Sequence, residues 1–258
     1  MTGCSPISPG CANCYAKRMS ARLAGRCGYP TENPFTVTLH SNRLEQPLSW
    51  RKSSRIFVCS MGDLFHDDVP DDYLVMVMDV IRRGLWEGGG VWPKHTFMIL
   101  TKRSARMRDF FTRLRWDGNR LGLDIKGAQF TPMIKSGGLF IGVTVESSEQ
   151  LHRLEDLQHT PATRRFVSVE PMLGPVSLAW YLQQGRWDSS GRPLPSRGLD
   201  WVICGGETGP NAREMSPEWA MDLKRQCGES GIPFFLKQMS RKAPIPDFLQ
   251  GREFPGSG

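Results

Sequence analysis

Three cysteines near the start of the chain have the spacing of metal ligands. Cys4, Cys11 and Cys14 form a C-x6-C-x2-C pattern within the segment GCSPISPGCANCYA. Pro6 and Pro9 disfavour regular secondary structure there, so the segment is predicted to be a loop able to wrap around a metal. Three thiolates supply three of the four ligands of a [4Fe–4S] cluster, and with one further ligand they would complete a tetrahedral zinc site.

The spacing alone leaves three interpretations open. Cys27 is the candidate fourth ligand for zinc, although paired C-x2-C motifs are the usual zinc pattern and this chain has one such motif. A helix beginning near Asn13 would direct its N-terminal dipole toward the loop. This dipole would favour thiolates and an anionic iron–sulfur cluster. Unliganded buried or reactive thiols are the third interpretation. Cys59 and Cys204 fall inside apolar runs and are predicted to be core residues.

Composition places the chain among folded proteins of a reducing compartment. Its 258 residues are 39% hydrophobic and 23% charged, which allows a sizeable core and excludes global disorder. No apolar run is long enough for a membrane span, and the N-terminus lacks an apolar secretion core, so we expect a cytoplasmic protein that makes no membrane contact. The net charge of +7 indicates an anionic partner, and nucleic acid is one candidate.

Short apolar runs alternate with helical patterns along the chain. Runs typical of strands buried on both faces cover 35–40, 55–60, 95–101, 139–145, 165–170, 199–204 and 233–237. Helices are predicted over 16–25, 71–84, 147–158 and 216–228. The alternation predicts an α/β fold, a partial (β/α) TIM-type barrel with mostly parallel strands. Residues 1–240 would form this single domain, with insertions near 117–138 and 184–198 and a C-terminal tail over 241–258.

Chargeable side chains follow nearly every predicted strand. The carboxyl ends of parallel strands meet at one mouth of a barrel, where active sites are built. The candidate site residues at these strand ends, which include one threonine and two glycines, are Asp63, His66, Lys102, Thr144, Glu146, Glu170, Gly205, Gly206, Glu207 and Lys237. A polar loop after any single strand is unremarkable, but the concentration over successive strands favours a site.

Several motifs together resemble a known family. The blocks TGCSPISPGCANCYAKRM, IFVCSMGDLFHDDVP, FMILTKR, IGVTVE, RFVSVEPMLGPV, WVICGGETGPNAR and PFFLKQ occur in this order over about residues 2 to 238. They are similar to a phage-associated protein family with a three-Cys motif and no assigned function. The resemblance implies a TIM-type barrel related to radical S-adenosylmethionine (SAM) enzymes.

The sequence departs from the usual radical SAM pattern in two ways, and from its relatives in a third. The first cysteine gap is six residues where C-x3-C-x2-C is usual, and Gly205-Gly206-Glu207 follows a late strand where the comparable loop follows the second. Relatives also carry a short segment before the TGC motif, whereas here Met1 almost directly precedes Cys4. The first barrel strand is therefore expected to be absent from this sequence, through either a late assigned start codon or a genuine truncation, and a genuine truncation would weaken the anchoring of the loop.

With this resemblance, the preferred hypothesis is a radical-SAM-like enzyme of unknown substrate. Cys4, Cys11 and Cys14 would hold a [4Fe–4S] cluster whose open iron binds S-adenosylmethionine. The cofactor would contact residues at later strand ends: Thr144, Glu146, Glu170, Gly205, Gly206 and Glu207. The substrate, which could be a nucleic acid, would lie near Asp63, His66, Lys102 and Lys237. An electron-donor protein and a phage-encoded protein are the expected protein partners.

The alternative hypothesis is a zinc-binding, non-catalytic protein that binds nucleic acid. A row of arginines ending in a tryptophan would then track phosphates, although a solvated helix face is the favoured explanation. These residues are Arg103, Arg106, Arg108, Arg113, Arg115 and Trp116. An inactive barrel serving a phage or host partner is a third hypothesis.

Overall fold

The fold is an α/β framework, and a computed structural model describes it for residues 1–86, 95–130, 138–183 and 198–256. The strands within these ranges are β1 (Arg55–Val58), β2 (Thr96–Thr101), β3 (Leu114–Trp116), β4 (Leu121–Leu123), β5 (Ala128–Gln129), β6 (Leu139–Thr144), β7 (Arg164–Val169), β8 (Trp201–Cys204) and β9 (Phe234–Leu236). The main sheet has six strands in the order β1-β2-β6-β7-β8-β9. Pairing is parallel between β1 and β2, β7 and β8, and β8 and β9. The predicted α/β partial barrel is confirmed.

Helices lie between the strands, as the alternating sequence pattern predicted. They are α1 (Tyr15–Arg22), α2 (Asp71–Trp86), α3 (Ser104–Arg113), α4 (His152–His159), α5 (Ala179–Leu182) and α6 (Pro217–Ser230). The start of α6 follows its sequence signals: Ser216 caps it by accepting from the Glu218 backbone N–H, and Pro217 occupies the first turn. Gly231 ends it with a left-handed φ of 66°. No described helix has both the length and the apolar character needed to cross a membrane.

The chain divides into two compact units. The first contains Met1–Ser5, Ala16–Ile141 and Thr160–Thr163. Its core includes the rings of Phe65, Phe110 and Phe111, whose centroids lie 5.5 to 6.0 Å apart. Edge and tilted contacts of this kind add to the hydrophobic gain of burying the rings.

The second unit contains Pro6–Tyr15, Gly142–His159 and Arg164–Gly258. Here Trp201 on β8 contacts the rings of Phe166 on β7 and Phe235 on β9, with centroids 6.2 and 5.9 Å away. Because adjacent parallel strands carry these rings, their stacking fixes the β7-β8-β9 arrangement that positions the strand-end residues.

A small antiparallel sheet of order β4-β3-β5 lies around the first predicted insertion. Arg115 of β3 pairs with Gly122 of β4 and Gln129 of β5. Residues 131–137 of this insertion and 184–197 of the second lie outside the described residues.

Two sequence predictions need correction. The run 35–40 is not a strand: Thr38 makes a single antiparallel bridge to Thr2, and the Phe35 carbonyl accepts from the Cys4 N–H. The pairing with Thr2 and Cys4 is thus limited to isolated contacts and does not form a continuous ladder. The predicted helix 147–158 is divided into a 3-10 turn at Ser148–Gln150 and α4.

Candidate functional site

In the first unit, the carboxylate of Asp63 collects hydrogen bonds from the end of β2. Asp63 follows β1 and is 6% exposed. Its Oδ1 accepts from Thr101 Oγ1 at 2.6 Å and from the Phe65 N–H at 3.1 Å. Its Oδ2 accepts from the Lys102 N–H at 3.1 Å. Because the two strands are parallel neighbours, the predicted convergence of their carboxyl ends is realised here.

Arg103 connects this carboxylate to the first cysteine of the motif. Its Nη1 lies 3.3 Å from Asp63 Oδ2 and 3.4 Å from Cys4 Sγ. Its Nη2 donates to the carbonyl and the hydroxyl of Ser5, at 3.1 and 2.9 Å. Burial would lower the pKa of Arg103, but the Asp63 carboxylate and the Cys4 sulfur raise it above its ordinary value. Arg103 therefore holds Cys4 and Ser5 with a permanently charged fork.

His66, another of the predicted catalytic residues, contacts the same cysteine loop. Its Nε2 lies 2.7 Å from Ser5 Oγ, and its Nδ1 accepts from the Asp68 N–H at 3.1 Å. An imidazole that accepts at Nδ1 carries its proton on Nε2 when neutral, so His66 donates to the serine hydroxyl. The structure thus brings Asp63, His66 and the Lys102 backbone together with Cys4, through Ser5 and Arg103.

In the second unit, Glu146 lies under the part of the loop that carries Cys11. Glu146 is fully buried, and its Oε1 accepts from Ser8 Oγ at 2.5 Å while its Oε2 pairs with Arg153 at 2.8 Å. Ser8 Oγ is in turn 3.7 Å from Cys11 Sγ. A Cβ on Gly10 would lie 2.5 Å from the Glu146 side chain, so the loop packs tightly on this carboxylate.

Arg153 also links Glu146 back to the end of β6. Its Nη1 donates to the Thr144 carbonyl at 2.9 Å as well as to Glu146. Arg153 is 3% exposed, so both charges of this pair are withdrawn from water. Removing one partner would leave the other buried and uncompensated.

Glu207 holds the same loop through Arg213 and Asn13. Its Oε2 accepts from Asn13 Nδ2 and the Arg213 N–H, both at 2.9 Å, and Arg213 forms an ion pair with its carboxylate. Arg213 Nη2 also donates to the Pro9 carbonyl at 3.0 Å. Burial would raise the pKa of Glu207, but the hydrogen bonds from Arg213 and Asn13 outweigh it and lower the pKa to about 2.

The remaining predicted positions of this unit surround Glu170. Its Oε1 accepts from Gln238 Nε2 at 2.8 Å and lies 3.0 Å from Lys237 Nζ. A Cβ on Gly205 would approach Gln238 and Glu170 at 3.0 to 3.3 Å, and one on Gly206 would lie 2.4 Å from the Ser240 nitrogen. The double glycine is therefore required by packing against chain segments of this unit.

The cysteines outside the motif have different surroundings. Cys204 is fully buried beside the sulfur of Met172, as predicted for a core residue, and burial raises its pKa. Burial raises the pKa of Cys59 to about 11. The motif cysteines are partly exposed, Cys27 is exposed, and all seven described cysteines lie outside disulfides.

Within the described ranges, no group of three or more His, Cys, Asp or Glu side chains is gathered closely enough to hold a metal ion. Cys4, Cys11 and Cys14 are thus not preassembled as a ligand set, and neither is a set that includes Cys27. Metal binding by these thiols stays a prediction.

Sequence reasoning missed the side chains that hold the loop, namely Ser5, Ser8, Asn13, Arg153 and Arg213, and it missed Gln238, which donates to Glu170. Arg103 was noted only as one of a basic row. Other members of that row form intramolecular contacts. Arg106 donates to the His66 and Val69 carbonyls, and Arg113 forms ion pairs with Asp71 and Asp124. The position of Arg103 directly after a strand end could have marked it as a site residue, but the sequence does not indicate which groups it binds.

Comparison with known proteins identifies one family. No curated protein and no solved structure matches the chain. The family model that matches is DUF5131, described as a protein of unknown function, and the match extends over residues 1–256. The chain therefore belongs to the DUF5131 family.

Proposed function

We propose that this protein is a radical-SAM-like enzyme in which Cys4, Cys11 and Cys14 hold a [4Fe–4S] cluster. The observation that carries the proposal is the loop itself. Its three thiols are partly exposed, and its backbone and serines are held by the buried Arg103 and Glu146 and by the partly exposed Arg213. Few structural roles require so much buried charge around a short cysteine loop.

The donor set fits a cluster with three thiolate ligands. Cys4 Sγ receives a hydrogen bond from a guanidinium, and Cys11 Sγ lies beside a serine hydroxyl. Donors to cluster sulfurs stabilise negative charge and help to set the reduction potential. The alternative, a closed zinc site with Cys27 as the fourth ligand, would have to recruit a cysteine that is exposed.

On this proposal, the three thiols come together as ligands when the cluster is inserted. Metal sites commonly form together with local folding, and the metal supplies free energy for that change. Glu146 accepts a hydrogen bond from Ser8 and lies against Gly10. Arg213 donates to the carbonyl of Pro9. These contacts hold the segment that directly precedes Cys11.

A cluster with an open iron would supply an electron to the sulfonium bond of S-adenosylmethionine. The chain's own contribution is to bind and orient. Glu146 and Glu207, predicted from the sequence to touch the cofactor, instead have their carboxylate oxygens engaged with Ser8, Arg153, Asn13 and Arg213. We assign both to holding the cysteine loop, and leave Thr144, Glu170, Gly205 and Gly206 as the candidates for cofactor contact.

The substrate would contact groups that the sequence predicts at the strand ends, namely Asp63, His66 and Lys102 of the first unit and Lys237 of the second. His66 keeps a proton on Nε2 beside Ser5, and Asp63 fixes the end of β2 through Thr101 and the Lys102 N–H. Lys237 remains about half exposed despite its pairing with Glu170. We propose these groups, with Lys102, as the polar contacts of an unidentified substrate, for which nucleic acid is one candidate class.

The test is reconstitution under anaerobic conditions with iron and sulfide. We expect broad visible absorption, iron and sulfide in equal amounts, and a paramagnetic signal after reduction. The Cys4→Ala/Cys11→Ala/Cys14→Ala variant should lose all three features, whereas Cys27→Ala, the matched control, should keep them. Stoichiometric zinc that depends on Cys27 would overturn the proposal.

A second measurement addresses S-adenosylmethionine itself. Its addition should change the paramagnetic signal of the reduced protein, and prolonged reduction should release 5′-deoxyadenosine. A protein that takes up the cluster but shows neither effect would be an iron–sulfur protein of another kind, and the enzymatic part of the proposal would be wrong.

A further inference from the structure

The net positive charge of the chain belongs to its first unit. Lys and Arg outnumber Asp and Glu there by 20 to 12, whereas the second unit contains 13 of the former and 14 of the latter. A concentration of positive charge in one unit indicates a ligand or partner that carries negative charge. An anionic ligand is therefore expected on the first unit.

An open cleft of about 600 Å³ lies on this unit, between one face of α2, the segment 41–45 and the turn that joins β3 to β4. Its volume is in the range of sites that bind small ligands. The α2 wall includes Met76, Asp79 and Arg83, which share a helix face by their spacing. Of the described residues that line the cleft, none belongs to the cysteine loop or to the strand-end positions discussed above.

Three arginines line this cleft from two of its walls. Arg82 and Arg83 come from α2, and Arg120 comes from the β3–β4 turn. The guanidinium carbon of Arg82 lies 4.5 Å from the centroid of the Trp116 ring, and its Nε and Nη2 bind Asp79 at 2.9 and 2.8 Å. Its Nη1 makes no hydrogen bond with any residue that the structure describes. The ring and the carboxylate thus orient the guanidinium and leave Nη1 for a ligand.

The acids near the other two arginines do not prevent anion binding. Glu45, which pairs with Arg83, is 67% exposed. Arg120 is 74% exposed and lies 3.6 Å from the Asp117 carboxylate. Ion pairs this exposed are weakened by solvent, whereas arginine binds phosphate oxygens through charge-assisted and often bidentate hydrogen bonds. A phosphate group can therefore compete for these guanidinium groups.

Neutral hydrogen-bonding groups lie in the same cleft as the arginines. The side-chain amides of Asn42 and Asn119 line it and make no hydrogen bond within the described part of the chain. The Asp117 carboxylate holds the turn by accepting from the Asn119 and Arg120 N–H groups, at 2.8 and 2.9 Å. Met76, which is 49% exposed, adds apolar surface. Side-chain amides pair with the edges of nucleobases, so the cleft combines groups for a phosphate with groups for a base.

We propose that this cleft binds a nucleotide, either free or as part of a nucleic-acid strand. The phosphate binds Arg120 and Nη1 of Arg82, the amides of Asn42 and Asn119 face the edge of the base, and Met76 contacts its apolar surface. Inorganic phosphate would use only the arginines, and a neutral apolar ligand would use only the apolar part of the lining. The inference does not depend on the proposed function, because the cleft is lined by none of the residues assigned to the cluster, the cofactor or the substrate.

The test measures affinities of the full chain, purified without a metal cluster, by isothermal titration calorimetry. The probes are the four ribonucleoside 5′-monophosphates, a ribo-oligonucleotide of mixed sequence and inorganic phosphate. We expect Arg120→Glu to lower the affinity for the best-bound nucleotide at least about tenfold, because it removes a hydrogen bond to a charged group and adds repulsion. Salt at about 0.15 M screens distant charges, so the loss reports on the cleft.

Arg51→Glu is the matched control. Arg51 is exposed, belongs to the first unit and does not line the cleft, and the variant has the same net charge as Arg120→Glu. It should bind nucleotides nearly as the wild type does. Equal losses in the two variants would attribute the effect to net charge and overturn the inference.

A second variant separates recognition of the base from binding of the phosphate. Asn42→Ala/Asn119→Ala should lower the affinity for nucleotides severalfold and leave the affinity for inorganic phosphate unchanged. Tighter binding of the oligonucleotide than of any monophosphate would identify a nucleic-acid strand as the ligand, and comparable affinities would identify a free nucleotide; either result supports the site.

Three results would overturn the inference. They are the absence of nucleotide binding by the wild type, equal affinities for inorganic phosphate and for nucleotides, and binding that occurs only to vesicles of phosphatidylglycerol. None of these results affects the iron–sulfur proposal, which reconstitution decides. Failure of reconstitution likewise leaves the nucleotide cleft untouched, since its test uses protein without a cluster.

Discussion

Arg103 donates a hydrogen bond to the sulfur of Cys4 over 3.4 Å. The same nitrogen lies 3.3 Å from the Asp63 carboxylate, and the side chains of Arg103 and Asp63 are 7% and 8% exposed. The arginine thus connects the first cysteine of the motif to the polar end of the sheet within the first unit. Its removal would affect both the stability of that unit and the charge around Cys4.

We expect Arg103→Met to lower the free energy of unfolding by about 3 to 5 kcal/mol, because Asp63 is left as a buried charge without its cation. Urea denaturation at neutral pH measures this. Asp63→Asn/Arg103→Met removes both charges and should recover part of the loss. A double variant as unstable as Arg103→Met would contradict the role assigned to the pair.

A conservative change separates charge from geometry at the same position. Arg103→Lys keeps the positive charge but cannot contact Cys4, Ser5 and Asp63 with one planar fork. We expect it to retain most of the stability and to bind the cluster, with a reduction potential displaced from that of the wild type. Identical potentials in potentiometric titrations would show that the hydrogen bond to Cys4 does not affect the cluster.

Part of this arrangement followed from the sequence and part could not. Apolar strands followed by Asp63, Lys102, Glu170 and Glu207 were recognisable because parallel strands deliver their carboxyl ends to one edge. The residues that these side chains would contact could not be recognised from the sequence. Ser8 and Glu146 are 138 positions apart, and no local pattern indicates that a loop serine will reach a buried carboxylate. The same applies to Arg213, whose contact with the Pro9 carbonyl depends on the packed structure.

Glu207 should give the protein a specific dependence on pH. Its folded pKa of about 2 lies below the ordinary value of 4.5, so its ionised form stabilises the fold above about pH 4.5, and this contribution is lost as the pH falls toward 2. We expect Glu207→Gln to be less stable by about 2 kcal/mol at pH 7, since it weakens charged hydrogen bonds. The difference should shrink steadily between pH 4.5 and pH 2.

Urea denaturation of both proteins at pH 7, 4 and 3 measures this difference. Glu218→Gln is a suitable control because Glu218 is exposed at the start of α6, where solvent screens its charge. If the gap between wild type and Glu207→Gln stays constant across the range, the carboxylate does not carry the contribution assigned to it.

Gly10 is predicted to be essential for the position of the cysteine loop. A Cβ there would lie 2.5 Å from Glu146 Cγ and Oε1, and Glu146 cannot move freely because Arg153 holds it. We expect Gly10→Ala to displace the loop and to lower the iron content after reconstitution at least severalfold. Gly228→Ala is the matched control: Gly228 is exposed in α6 with open space around it, so alanine should stabilise the helix by about 0.5 to 1 kcal/mol.

Normal iron uptake by Gly10→Ala would mean that the loop reaches its metal-bound form without its packing on Glu146. A stabilised Gly228→Ala with normal iron content would show that replacement of glycine as such does not disturb the protein. The comparison therefore separates the effect of displacing the cysteine loop from the effect of replacing a glycine by alanine elsewhere.

The packing of β6 on β7 offers a last test, confined to the second unit. A Cβ on Gly142 would lie 2.5 to 2.7 Å from ring atoms of Phe166, which is fully buried. Because a close-packed core has no room for an added methyl group, Gly142→Ala should cost about 1 to 3 kcal/mol. Phe166→Leu alone should also destabilise, since it leaves a cavity. In Gly142→Ala/Phe166→Leu the smaller side chain makes room for the methyl group, so the double variant should be more stable than the sum of the single losses predicts. Thermal denaturation of the four proteins gives this coupling energy, and additive losses would place the strain of Gly142→Ala elsewhere than at Phe166.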